Sequence, residues 1–398
     1  MQANDGNLYG TTRNGGTNND GAIFRITTGG ALTRLYSFTG GYDGSFPSAG
    51  LVQAGDGNFY GTTYEGGTNN DGTIFRVTTN GVLTPLYSFT KSSDGAYPES
   101  GLVCASDGNL YGTAPFGGTN GYGTVFRITT NGTLTPLYSF TGGNDGRSPL
   151  AGLVQASDGN LYGTTQIGGT NGEGVVFRIT TNGVLAPLYS FTGGNGGAFP
   201  FASLLQPSDG NLYGTTPDGG TNGDGVVFRI TTNGVLTPLY SFTGGNDGRY
   251  PLAGLVQASD GYLYGTTSSG GLGNGGTLFR ITTNGVMTPL VSANAGSHLA
   301  NLRAALMQAG NGNFYGTASQ GTAYGRGAVF ELNLSPVLGI FLNGNKSTLV
   351  WPSWATNYVL QATTNLASTN WVTINATPTN SVIVTNSLPA QFFRLATP

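Results

Sequence analysis

The stretch that decides the fold runs from Leu153 to Ser203: LVQASDGNLYGTTQIGGTNGEGVVFRITTNGVLAPLYSFTGGNGGAFPFAS. It recurs along most of the chain in constant register. The tyrosine of its Tyr-Gly-Thr core falls at Tyr9, Tyr60, Tyr111, Tyr162, Tyr213, Tyr264 and Tyr315, each 51 residues after the last. A fixed period of this kind marks a repeat architecture, in which each unit buries its apolar face against its neighbours.

Each copy reads as four short strands. In the quoted copy they are Leu153–Ala156, Asn160–Thr165, Val175–Thr180 and Val184–Phe191. They are rich in β-branched and aromatic residues and bounded by Gly, Asn and Asp. Asp158-Gly159 and Asn182-Gly183 supply the positive φ of tight hairpins. The other connections, Gln166–Gly174 and Thr192–Ser203, are longer and read as looser. Four antiparallel strands repeated at about 40–50 residues point to a β-propeller. The expected fold is therefore all-β: a seven-bladed β-propeller over residues 1–334. Pro85, Pro136, Pro187, Pro238 and Pro289 fall inside the fourth strand. Proline cannot donate to a ladder, so this strand is expected at the outer edge and the first strand at the central channel.

Composition narrows the class. Gly accounts for 70 of 398 residues, against a usual share of about 7%. Charged residues make up 8%, where about 25% is ordinary. Disorder is excluded because 37% of the chain is hydrophobic, with 20 Tyr and 21 Phe to fill a core. A net charge of −3 and only two lysines, Lys91 and Lys346, leave no basic stripe for nucleic acid. No apolar run is long enough to span a membrane. Cys104 is the single cysteine, so no intrachain disulfide forms. It replaces a glutamine found at Gln2, Gln53, Gln155, Gln206, Gln257 and Gln308, and is expected to be a buried thiol filling that slot.

The two ends of the repeat array differ from its middle. Met1-Gln2-Ala3 aligns with Val52-Gln53-Ala54, so the sequence begins inside a first strand and an upstream segment is expected. Copy seven has no recognisable fourth strand, which either that segment or Val337–Leu342 would supply. Residues 335–398 hold all three tryptophans, Trp351, Trp354 and Trp371. Ser347–Pro352, Asn357–Gln361, Trp371–Ile374, Ser381–Val384 and Gln391–Leu395 are expected strands of a small sandwich.

The unit Asp-Gly-Asn-Leu-Tyr-Gly-Thr-Thr…Gly-Gly-Thr…Phe-Arg-Ile-Thr-Thr-Asn-Gly…Leu-Tyr-Ser-Phe resembles the GloVer tandem repeat of exported bacterial proteins, over residues 1 to about 333. The Leu-x-Trp-Pro at Leu349 and the Tyr-x-Leu at Tyr358 resemble a fibronectin type III domain. The first resemblance implies a secreted or cell-surface protein. It carries no catalytic residues to transfer.

Residues repeated in every copy are expected to serve the fold. These include the turn aspartates (Asp5, Asp56, Asp107, Asp158, Asp209, Asp260) and the strand arginines (Arg25, Arg76, Arg127, Arg178, Arg229, Arg280). The repeated tyrosines are expected to pack between blades. No His cluster or paired cysteine supports a transition metal. Asp20, Asp71, Glu173 and Asp224 lie in glycine-rich loops and could hold Ca²⁺, but scattered single acids are more often merely solvated, so no cofactor is expected.

Function is expected where the copies differ, on the face that carries both long loops. Candidate ligand-binding residues there are Phe46, Tyr64, Tyr97, Phe199, Asp218 and Tyr250. The aromatics before proline are either sugar-stacking platforms or plugs between blades, with plugs favoured. The one asymmetric constellation is in the last copy. There His298 takes a loop slot held elsewhere by Asp43, Asp94, Asp145 and Asp247, and Glu331 replaces the strand arginine. If the two slots touch, His298 and Glu331 form an acid–base couple, with Arg303, Tyr324 and Arg326 beside it. The expected function is extracellular recognition or adhesion, with a neutral polysaccharide, another surface polymer or a protein as partner. The alternatives are a propeller-type polysaccharide lyase or hydrolase acting near blade seven, and a surface-layer or protein-interaction scaffold.

Overall fold

In the computed structural model, the four strands of copy four form at Val154–Gln155, Leu161–Thr165, Val175–Ile179 and Leu185–Ser190. They lie side by side in chain order in one antiparallel sheet. The structure describes residues 1–294, 300–321, 326–334, 338–343, 346–351, 359–364, 371–374, 381–385 and 392–396. Within these, each of the seven copies forms its own sheet. In copies one and five the first strand is reduced to single bridges, Gln2 to Leu8 and Leu205 to Tyr213.

Proline explains the outer strand. Val176 pairs with Tyr189 but Phe177 with Pro187, so Leu188 is an extra residue in a bulge. The bulge and the edge position together spare Pro187 a donor it does not have. The first strands of copies two and three, Val52–Gln53 and Val103–Cys104, approach one another at the opposite edge.

The core lies between sheets rather than within one. Tyr162, Val176 and Phe191 of copy four pack against Leu212, Phe228 and Ile230 of copy five, all fully buried. The glycine of Tyr-Gly-Thr makes room for this. A Cβ on Gly163 would stand 2.7 Å from Phe177 Cζ and 2.8 Å from Leu153 Cδ2. No side chain fits there.

A glutamine clasp joins the copies at the tight-turn end. Gln155 accepts from Ser106 N of copy three at 2.8 Å and donates to Gly159 O at 3.0 Å. Gln53, Gln206 and Gln308 repeat the clasp. Gly310 N of copy seven donates to Gln2 Oε1 of copy one at 2.7 Å. Leu8 and Ile26 also pack against Met307, Ala309 and Tyr315. The first and last copies thus meet through the contact that joins neighbours.

Cys104 takes the clasp position in copy three, half-buried rather than fully buried as expected. Burial pushes its thiol pKa up, and the Gly55 N–H reaches it. Cys104→Gln is expected to complete the clasp and add about 0.5–1.5 kcal/mol, the net worth of an intramolecular hydrogen bond. The readout is a higher Tm. A lowered one would show that the slot has closed around the smaller side chain.

The chain divides into two compact units, Met1–Glu331 and Leu332–Pro398. In the second, Gly339–Asn343, Lys346–Val350 and Ser381–Thr385 form one sheet. Val372–Thr373, Val359–Thr363 and Phe392–Ala396 form another. Leu349, Trp351 and Leu360 are buried, with Val382, Val384, Phe393 and Leu395 against them. Gly339–Asn343 pairs here, which corrects the expectation that Val337–Leu342 serves copy seven. That sheet has three strands among the described residues, and Val337 lies outside them.

Candidate functional site

Antiparallel order puts both long connections of every sheet at one end. They are not loose. Ala198 bridges to Asp218, Arg249 to Ser269 and Ala300 to Gln320, so the loop leaving one copy pairs with the loop of the next. This pairing passes between copies, and a copy read by itself gives no sign of it. Gly168 permits the approach: a Cβ there would stand 2.6 Å from Gly146 Cα of the preceding copy.

The residue after each bridge adopts a left-handed backbone, with φ between 54° and 58° at Phe46, Tyr97, Ser148, Phe199, Tyr250 and Asn301. For Phe and Tyr this region is strained and needs support from the surroundings. Tyr250 shows that support. Its N–H donates to Asp224 O at 2.9 Å, and its carbonyl accepts from Ser268 N at 3.1 Å. The aromatics are therefore fixed at the seams and half-buried, with Arg249 over the Tyr250 ring at 5.2 Å.

The candidate residues fall into two groups. Phe46, Tyr64 and Tyr97 belong to the early copies. Tyr64 N donates to Phe46 O, and the rings of Tyr64 and Tyr97 lie 5.1 Å apart. Arg13 sits over Tyr64 and Lys91 over Tyr97, at 5.2 and 5.3 Å. Burial raises the pKa of Glu99 beside them, against the opposing charge of Arg13.

Phe199, Asp218 and Tyr250 line a groove of about 700 Å³ over copies four to seven, a size that suits an extended small ligand. Phe201, Leu252 and Arg303 join them, with Gln166, Asn274 and Gln320 as neutral polar groups. Asp218 accepts at its backbone carbonyl from Ala198 N and Thr216 Oγ1. Its carboxylate has no partner among the described residues, and burial pushes its pKa up. Sequence reasoning missed Phe201 and Leu252. The signal was there in one column of the repeat, which runs Ser48, Glu99, Leu150, Phe201, Leu252, Arg303 without two adjacent copies alike.

The recurring polar residues are absorbed by the fold. Tyr162 donates to Asp158 Oδ2 at 2.8 Å, and Asn160 N to Asp158 Oδ1 at 3.0 Å. Arg178 stands across the strand from Tyr162. The loop aspartate Asp145 accepts from Tyr138 Oη, Thr141 N and Thr141 Oγ1. The loop-aspartate and strand-arginine slots are thus occupied separately, contrary to the pairing expected from the last copy.

Glu331 accepts from Tyr315 Oη at 3.1 Å and from Asn313 Nδ2 at 2.5 Å, beside the tight turn. Arg303 lines the groove at the loop end, so these two members of the expected acid–base constellation are not brought together. His298 and Tyr324 lie outside the described residues. Asp20, Asp71, Glu173 and Asp224 sit one to a copy, and no metal-holding group of three or more His, Cys, Asp or Glu occurs among the described residues.

The sequence pattern of the Gloeobacter/Verrucomicrobia repeat matches residues 1–156 and 151–347. No curated protein matches the chain. A virginiamycin B lyase from Staphylococcus aureus aligns with a TM-score of 0.50 at 19% identity, over 77% of this chain and 91% of its own. A puromycin hydrolase mutant complexed with PGG aligns with a TM-score of 0.53 at 11% identity, over 87% of this chain and 57% of its own. At such identities the likeness is one of fold alone: all-β and propeller-like.

Proposed function

The chain belongs to the Gloeobacter/Verrucomicrobia repeat family, and we propose that it is an extracellular, non-catalytic recognition protein whose groove holds a neutral polysaccharide. In this reading the copies close into a seven-bladed propeller, supported by the Gln2–Gly310 clasp. The C-terminal unit is a fibronectin type III-like sandwich, supported by its three-on-three strand arrangement. A secreted or surface location goes with the resemblance of the repeat.

The observation that carries the reading is the groove wall. Phe199 and Tyr250 are rings held at fixed seams, with amide and hydroxyl groups between them. Sugars present apolar faces and hydroxyls, which such a wall matches without the help of charge. The aromatics lose little freedom on binding because their backbone is already fixed.

The test is calorimetric titration with a panel of neutral polysaccharides, repeated with Phe199→Ala and Tyr250→Ala combined. Two lost aromatic contacts at about 0.5–1.5 kcal/mol each predict binding weaker by roughly fivefold to 150-fold at unchanged Tm. A fall in Tm with binding intact would identify the rings as plugs between copies. No binding to any glycan at millimolar sugar retires the proposal.

A further inference from the structure

The groove has one cationic end, and its geometry is built rather than incidental. Arg303 Nε donates to Asn301 Oδ1 at 2.9 Å. Asn301 is itself pinned, with φ 58°, its N–H on Gly275 O, and its carbonyl accepting from Ser319 N and Oγ. The two terminal guanidinium nitrogens have no partner among the described residues. A guanidinium held by its Nε presents its remaining N–H groups as a fork that fits a carboxylate in two parallel bonds. Among the described residues that line the groove, only Arg303 and Asp218 are charged, and they come from different copies. In the column of Arg303 the five preceding copies place Ser48, Glu99, Leu150, Phe201 and Leu252, none of them a cation.

We propose that Arg303 binds the carboxylate of an acidic sugar, so that the preferred glycan is neutral along most of its length and carries a uronic acid unit at this end of the groove. The proposal rests on the polysaccharide reading above. Asp218 accepts hydroxyl protons farther along and disfavours a second acidic unit beside it, which gives the chain a direction in the groove. One fixed cation at a set place in a mostly neutral wall discriminates where a spread of lysines would only attract.

The experiment uses the full chain with glucuronoxylan and its carboxyl-reduced form, in which each uronate has become a neutral sugar on the same backbone. Wild type is expected to bind the acidic form about tenfold more tightly, and less so as salt is raised. Arg303→Gln removes that preference, and Arg303→Lys restores only part of it because the fork is lost. Equal binding of the two forms by wild type overturns the inference and leaves the polysaccharide reading standing. So does a preference that survives Arg303→Gln. Binding to neither form overturns the inference, and the neutral panel then decides whether the polysaccharide reading falls with it. Arg303 is exposed, so the fold of these variants is preserved.

Discussion

Replacing Phe177 with alanine is expected to cost about 3–5 kcal/mol of stability, the range for removing a buried phenylalanine. The ring is fully buried between copies three and four, edge-on to Phe140 with centroids 5.3 Å apart. It packs with Tyr111, Val125, Leu161 and Ile179, so the cavity would open in the interface that joins two sheets. In a repeat protein such interfaces carry much of the cooperativity. Val184→Ala is the matched control. Its side chain is 64% exposed at a turn and should stay within about 0.5 kcal/mol.

A second substitution shows whether Gly163 and Phe177 act as one unit. Gly163→Ala by itself puts a Cβ 2.7 Å from Phe177 Cζ, an overpacking that costs about 1–3 kcal/mol. In the Phe177→Ala background that clash is gone and the 2.8 Å approach to Leu153 Cδ2 remains, so the same change should cost less. Denaturant midpoints of the four proteins give the coupling directly. Additive effects would mean that Leu153 or the backbone, not the ring, excludes a side chain at Gly163.

The strands were legible because each copy states its own local chemistry. Asp158-Gly159 and Asn182-Gly183 fix two hairpins, alternation fixes the faces, and Pro187 marks the outer edge. Features that arise between copies were not legible. The Gln155 side chain looks like any polar strand residue until Ser106 of the preceding copy is placed beside it. The same holds for the long loops, which read as loose because their bridges, such as Ala198 to Asp218, pass between copies. Phe199 and Tyr250 were found as aromatics before proline. Their left-handed backbone was not, since propensity disfavours it for these residues and the seam imposes it. The groove residues Phe201 and Leu252 follow from that seam, two positions farther on.

Alkali is expected to unfold the protein as its buried tyrosines ionise late. Burial first, and then bonding to aspartate, pushes Tyr36, Tyr60, Tyr87, Tyr111, Tyr138, Tyr162, Tyr213 and Tyr240 up to about 12. In an unfolded chain tyrosine ionises at about 10. The folded state thus holds the neutral phenol more firmly than the unfolded state does. Its contribution is complete below about pH 10 and is lost as pH rises toward 12.

The aspartates give the opposite sign at the acid end. Burial pushes the Asp158 pKa up, but bonds from Asn160 and Tyr162 and the charge of Arg178 outweigh it and hold the carboxyl below its usual range. Asp5, Asp56, Asp107 and Asp209 are held down in the same way. Their contribution is present above the unfolded value of about 4 and disappears as pH falls through the lower folded values. Tyrosinate absorbance followed beside near-ultraviolet circular dichroism checks the alkaline limb. The late tyrosines should ionise together with loss of tertiary signal, because the phenolate cannot stay beside its aspartate. Asp158→Asn should make Tyr162 ionise earlier, though burial still holds it above an unfolded tyrosine, and remove one carboxylate from the acid transition. Ionisation of all tyrosines near pH 10 with tertiary signal intact would show that the Tyr–Asp pairs do not hold the sheets together.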